Sequence, residues 1–294
     1  MIWRTRINLM TKTKYPLIMG AFAGLGTGKF AAAFSNAGGL GIITALNYNL
    51  EKFRIELQNI KALTDKPFGI NITIVPPGVK TPHGQLSEED YLKYAEIGLN
   101  EGVDAFTTSA YKASFIGKRI KEAGGHWFHK CALLNHAISA EKAGADAITL
   151  VGLEGGGAKH PLQHSTLVNI TSAKSLLKIP IIAAGGIGDA RGFIGALMMG
   201  AEAVCLGTAL IVTKECPVTE NLKQKWLNVN IFEGKYRQKI YDFNSRDIKT
   251  PSTAIFHQKK IISINKFIEN IMNQAKLILK SSGFKSDLFN SIPP

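Results

Sequence analysis

Residues 180–208 read PIIAAGGIGDARGFIGALMMGAEAVCLGT. A short apolar run at 180–185 ends in two glycines, Asp189 opens a helical pattern that runs to about 199, and a second apolar run occupies 203–208. Glycine favours the position just beyond a helix, here Gly200. Two short strands joined by such a helix form a parallel, right-handed crossover unit. The unit repeats along the chain. Other strand-like runs lie at 17–20, 40–44, 68–75, 104–109, 126–133 and 146–152. Helical patterns fall between them near 28–37, 51–63, 88–99, 112–123, 136–143 and 167–177. EAGGH, EKAGAD and LMMGAEA each set a glycine at a helix end. Strict alternation predicts an α/β fold with a parallel sheet. Eight strands predict a (β/α)8 TIM barrel, with an open doubly wound sheet as the alternative.

The chain has 294 residues, 45% of them hydrophobic, only 19% charged, and 29 glycines. That suits a buried parallel sheet with tight turns. Residues 217–294 break the rhythm. They hold 13 Lys and Arg against 6 Asp and Glu, more than half of the net +13. Within them, Ile264, Phe267, Ile268 and Ile271 keep helical spacing. The expected organisation is a barrel over 1–216 and a basic, partly helical extension over 217–294, packed on the barrel or over its mouth. The basic excess is scattered among Ile, Asn and Gln, which argues for a solvated surface and against nucleic acid as partner. Three cysteines without a CxxC pair exclude a zinc site or disulfide framework and suit a reducing compartment. No apolar run reaches membrane-spanning length. The expected location is cytoplasmic, and no metal is expected.

Active sites of such barrels lie at the C-terminal strand ends, and phosphate often binds after strands seven and eight. Gly185 and Gly186 let backbone approach an anion, and the helix from Asp189 presents its positive end. Gly207 and Thr208 stand one strand away. In FGINITIV, Ile70, Ile72 and Ile74 share one face and Asn71 the other, so Asn71 faces the lumen. In HWFHKCAL, His126, Phe128 and Lys130 share a face. Asn71 and Lys130 together suit the pyrimidine edge of a flavin, which needs a nearby positive charge; the alternative is that Asn71 bonds backbone and Lys130 pairs with Glu154. AGLGTGKF is not a P-loop, since Ala23 replaces its first glycine. His126 and His129 point to opposite faces and cannot form a metal pair. PPGVKTPHGQ reads as a loop over the mouth, with His83 at the solvent.

Together AAAFSNAGGLGII, FGINITIVP, HKC, AEKAGADAI, residues 183–208 and TKEC resemble the nitronate monooxygenase family. That family, formerly called 2-nitropropane dioxygenases, includes FMN-dependent enoyl-ACP reductases and NAD(P)H:quinone reductases. The resemblance implies FMN as cofactor and an FMN-dependent oxidoreductase that uses O2 on a small nitronate or similar anion. It implies flavin-ring contacts from Asn71 and Lys130 and phosphate contacts from Gly185, Gly186, Gly207 and Thr208. Gly20, Gly155 and Gly156 lie near the cofactor. The family reads Glu-x-x-Gly-His where this chain has Glu154, three glycines and Ala158, so Ala158 takes the place of the usual histidine. His160, two residues on, is the remaining candidate base. Cys216 replaces a usual serine. An NAD(P)H-dependent flavin reductase acting on an enoyl thioester or quinone stays open, as do a flavin-binding or partner subunit with little catalysis, and a homodimer.

Overall fold

The structure is a computed structural model describing residues 3–76, 78–109, 111–157, 160, 162–230, 232–233 and 253–283. Eight strands form one parallel sheet: β1 (Leu17–Met19), β2 (Gly41–Thr44), β3 (Phe68–Thr73), β4 (Ala105–Ser109), β5 (His126–Cys131), β6 (Ala147–Val151), β7 (Ile181–Ala184) and β8 (Ala203–Leu206). β1 pairs with β8. It also meets β2 through Leu40, whose carbonyl accepts from Met19 N at 2.9 Å and whose N–H donates to Leu17 O at 2.8 Å. The sheet therefore closes on itself as a TIM barrel, and the open-sheet alternative falls.

Helices α2 (Gly28–Asn36), α3 (Leu50–Leu63), α4 (Glu88–Asn100), α5 (Ser114–Glu122), α6 (Leu134–Lys142), α7 (Thr166–Leu176) and α8 (Ala190–Met198) follow β1 to β7 in turn. Side-chain oxygens cap most of their N-termini, Thr27, Asn49, Ser87, Ser165 and Asp189 among them. Ile70 and Ile72 are fully buried. Gly98 of α4 lies so close to Ile70 and Phe106 that no side chain would fit there. The isoleucine face of β3 thus meets a helix, and Asn71 faces the lumen as its parity predicts.

Three features extend the repeat. A short helix, α1 (Arg6–Thr11), precedes β1. Arg6 pairs with Glu202 at the start of β8, and Trp3 meets Phe193 edge to face at 5.2 Å. Helix α9 (Glu220–Leu227) follows β8. The last helix, α10 (Ile264–Ser281), buries Ile264, Phe267, Ile268, Ile271, Met272, Ala275 and Leu279 along one stripe. It packs against α8 and α2. That is the position between the seventh helix of the ring and the first, so α10 fills the gap left by seven helices. Each large apolar side chain buried this way contributes about 1.5–3 kcal/mol. Between α9 and α10 the described residues include a helical turn at Thr253–Ile255.

Candidate cofactor and active site

Strand register sets which side chains share a level in the lumen. Thr44, Asn71, Thr107 and Phe128 are aligned across β2 to β5. One level nearer the mouth, Thr73, Ser109, Lys130 and Thr149 are aligned across β3 to β6. Asn71 is 2% exposed. Its Nδ2 donates to Thr107 Oγ1 at 2.9 Å, and its Oδ1 accepts from Thr73 Oγ1 at 2.7 Å. Thr73 and Ser109 hydroxyls lie 3.0 Å apart. Asn71 is therefore held in one orientation by strand neighbours. Thr73, Thr107 and Ser109 were not singled out from the sequence, although the period-two pattern of AFTTS could have found the last two.

Lys130 has no carboxylate partner among the described residues. Burial lowers its pKa, opposed by the neighbouring thiols of Cys205 and Cys131. Those thiols are no counter-ions: burial pushes Cys205 up to about 11 and Cys131 up to about 12. Glu154, the partner weighed for Lys130, is engaged elsewhere. Its Oε2 accepts from Thr166 N at 3.0 Å and lies 2.9 Å from Thr166 Oγ1. Thr166 Oγ1 also reaches Ala184 O at 3.1 Å and Gly185 O at 3.0 Å. Glu154 and Thr166 thus tie the loop after β6 to the end of β7.

The glycines converge. A β-carbon at Gly185 would lie 2.7 Å from Thr166 Oγ1 and 3.0 Å from Gly155 N. One at Gly156 would lie 3.3 Å from Thr208 Cγ2, and one at Gly157 would lie 4.0 Å from Lys130 Nζ. One at Gly20 would lie 3.2 Å from Gly207 Cα, whereas one at Gly207 would meet nothing within 4 Å. Gly20 thus lets the ends of β1 and β8 approach, and Gly207 opens onto free space. Gly185 and Gly186 have φ of 108° and 71°. The loops after β6, β7 and β8 therefore form one glycine-lined cradle, with Lys130 beside it.

Two expectations change. Asp189 caps α8 and accepts from Gly192 N at 2.9 Å, so a carboxylate already faces the positive end of that helix. Any phosphate contact falls mainly on the Gly185–Gly186 and Gly207–Thr208 turns. His160 is turned into its own loop. Its Nδ1 accepts from Leu162 N at 3.1 Å, and its N–H donates to Gln163 Oε1 at 3.2 Å. Gln163 Nε2 in turn donates to Val151 O at 2.6 Å. With Nδ1 an acceptor, the neutral ring carries its proton on Nε2 and keeps no free lone pair for a base. Ala158 lies outside the described residues. His83 is exposed, as its loop position predicts, on the rim of an open groove that Asn49, Glu51, Gln85, Asp90 and Tyr94 also line. His129 is buried beneath the helices, and its Nδ1 lies 2.8 Å from Thr108 Oγ1, which takes the Trp127 N–H. Burial lowers its pKa to about 4, so it is neutral at pH 7.

The tail builds one wall. Ala254 lies so close to Gly188 that a β-carbon there would collide with its carbonyl. Gln258 Nε2 donates to Ala209 O at 2.6 Å. Its Oε1 is buried with no partner among the described residues, an acceptor that a hydroxyl or water of a bound group would satisfy. Nothing in the sequence pattern marked Gln258. No helix among the described residues is long and apolar enough to cross a membrane, and no cluster there could hold a metal.

A closed parallel barrel with a lumenal lysine and a glycine cradle at its C-terminal mouth defines a small-molecule α/β-barrel enzyme. The chain belongs to the nitronate monooxygenase family, whose model matches residues 4–266. A probable nitronate monooxygenase of Staphylococcus aureus is 29% identical over 98% of this chain and 86% of its own length. A Mycobacterium tuberculosis dehydrogenase of a hydroxy-methyl-oxo-octahydroindene-carboxyl-CoA is 29% identical over 78% of this chain; the match spans 61% of that enzyme. The structure of FabK from Thermotoga maritima superposes with TM-score 0.81 at 27% identity, over 95% of this chain and 98% of that one. These relatives place the chain among oxidoreductases.

Proposed function

We propose that this chain is an FMN-dependent oxidoreductase that acts at the barrel mouth on a small anion of the nitronate type, with O2 as electron acceptor. The observation that carries this reading is Lys130, which has no carboxylate partner among the described residues, beside a cradle where glycines from three successive loops converge. The donor set fits the group. Gly155 packs on Val151, and Gly156 and Gly157 leave room for a ring beside Thr208 and Lys130. Gly185, Gly186, Gly207 and Thr208 line the phosphate end, and Gln258 Oε1 offers an acceptor to a hydroxyl. Bound there, FMN would supply the redox chemistry, accepting electrons from the substrate and passing them to O2.

The chain's own residues do the rest. Lys130 stabilises negative charge brought to the strand ends, in a lumen where a fixed charge acts more strongly than in water. Thr73, Thr107 and Ser109 hold Asn71 in register, so its amide edge is preorganised. Glu154 and Thr166 hold the loop after β6 against β7 and fix the cradle. His160 is turned into its own loop, and an already ionised nitronate needs no base to remove its α-proton. His160→Ala is therefore expected to change turnover on an anionic nitronate by no more than about threefold. A hundredfold loss with flavin content intact would make His160 the base after all.

A second reading has its own support, the resemblance to a dehydrogenase of a CoA thioester over 78% of this chain. In it, the same mouth exchanges a hydride between NAD(P)H and an enoyl thioester or quinone. One experiment separates the two and tests the cofactor. The heat-released cofactor is identified by mass, and the protein is then mixed anaerobically with a nitronate or with NADPH. FMN and bleaching by the nitronate support the first reading; bleaching by NADPH alone supports the second. FAD, or no flavin after reconstitution, rejects both.

A further inference from the structure

The tail segment that walls the cradle carries an exposed cluster of rings and cations. Phe232 exposes 71% of its surface and Phe256 40%. Their rings meet edge to face at 5.0 Å, and His257 meets Phe256 at 5.1 Å. Lys259 Nζ stands over the Phe256 ring, 5.1 Å from its centre. Arg191 Nη2 lies 3.5 Å from His257 Nδ1, and its side chain is 73% exposed. Lys260 follows, also exposed. Asp189 lies within the cluster but is nearly covered, held by Arg191 at 2.8 Å and 3.8 Å from His257 Nε2. Glu233, next to Phe232, has a contact of its own.

We propose that this cluster binds the adenine nucleotide end of a phosphorylated cosubstrate. The inference rests on the second reading above, in which the mouth serves NAD(P)H and an acyl thioester, and adds where such a molecule is held. A large exposed aromatic pair on a chain surface calls for a partner. Here cations border the rings, which disfavours an apolar protein partner and matches a flat, anionic ligand. A purine stacks on a phenyl ring whatever its sequence context, as in single-strand nucleotide binding. Guanidinium and ammonium groups pair with phosphate. Position agrees with chemistry. Ala254 against Gly188 and Gln258 on Ala209 fix the cluster beside the ends of β7 and β8. The far end of the cosubstrate would lie on this rim while its reactive end reaches the mouth. The shared chemistry is an adenosine with ribose phosphates; the 2′-phosphate of NADPH and the 3′-phosphate of coenzyme A are its two sources.

The test is calorimetric titration of the full chain with adenosine 2′,5′-bisphosphate and adenosine 3′,5′-bisphosphate. At least one is expected to bind, and to weaken as sodium chloride is raised, because the cations are exposed. Arg191→Glu combined with Lys259→Glu should weaken binding about tenfold or more, as should Phe232→Ala. These side chains are exposed, so the variants should fold. Tighter binding of the 2′ compound identifies NADPH as the source, and tighter binding of the 3′ compound a CoA thioester. Equal binding supports the cluster through the shared adenosine and phosphates. Flavin absorbance of the same samples reports on the cradle separately. A flavin-free chain that binds bisphosphate through these residues would reject the cofactor reading and keep the nucleotide site. Absence of binding by both compounds at millimolar concentration, or binding indifferent to both sets of substitutions, overturns the proposal.

Discussion

Gly186→Asp is expected to raise the dissociation constant for FMN about a thousandfold. Gly186 sits at the turn after β7 with φ of 71°, a region that aspartate tolerates better than most residues. An asparagine variant separates the charge of the substitution from its shape. A carboxylate about 4 Å from a phosphate costs on the order of 4 kcal/mol at an effective dielectric near 20. About 1.4 kcal/mol is a factor of ten, which gives the thousandfold figure. Fluorescence titration of the apoprotein with FMN measures it, and Gly186→Asn is the control that keeps the shape without the charge. An unchanged dissociation constant in the aspartate variant would place the phosphate elsewhere. Gly185 would not serve as well, because a β-carbon there would lie 2.7 Å from Thr166 Oγ1 and disturb the loop itself.

The barrel was legible in the sequence because its signals are local. Each strand is a short apolar run, and the glycines of EAGGH, EKAGAD and LMMGAEA mark helix ends by a single-residue preference. Lumenal placement of Asn71 and Lys130 followed from period two alone. What was not legible depends on long-range packing. The stripe on α10 announced a helix, but not that it would settle between α8 and α2 and fill the gap in the ring. The polar residues of the extension gave no sign that Gln258 would clamp Ala209 or that Ala254 would press on Gly188. Competition at a site was equally hidden. The helix from Asp189 reads as an anion-binding end, yet the Asp189 carboxylate already caps its N–H groups. His160 reads as a relocated base, yet the bond from Leu162 N takes its lone pair. A resemblance can transfer residue types, but not which hydrogen bonds they have already made.

Lys130→Met should move stability and activity in opposite directions. In the folded chain the ammonium is desolvated and has no carboxylate partner among the described residues, so its pKa lies below that of the unfolded chain. Folding then disfavours the protonated form. This cost is fully present below the folded pKa and disappears as pH rises past the unfolded value of about 10.4. Methionine keeps the length and removes the charge, so the flavin-free variant should melt higher than the parent at pH 7. The gain should shrink toward pH 10 and above. Turnover should fall roughly 10²–10³-fold, the usual effect of removing one preorganised electrostatic group. Paired melting curves across pH and steady-state rates at saturating FMN give both quantities. Replacing a merely structural lysine would lower the melting temperature and leave turnover unchanged. A variant that melts lower at pH 7 with turnover unchanged would show that Lys130 supports the barrel and that negative charge develops elsewhere in the mouth.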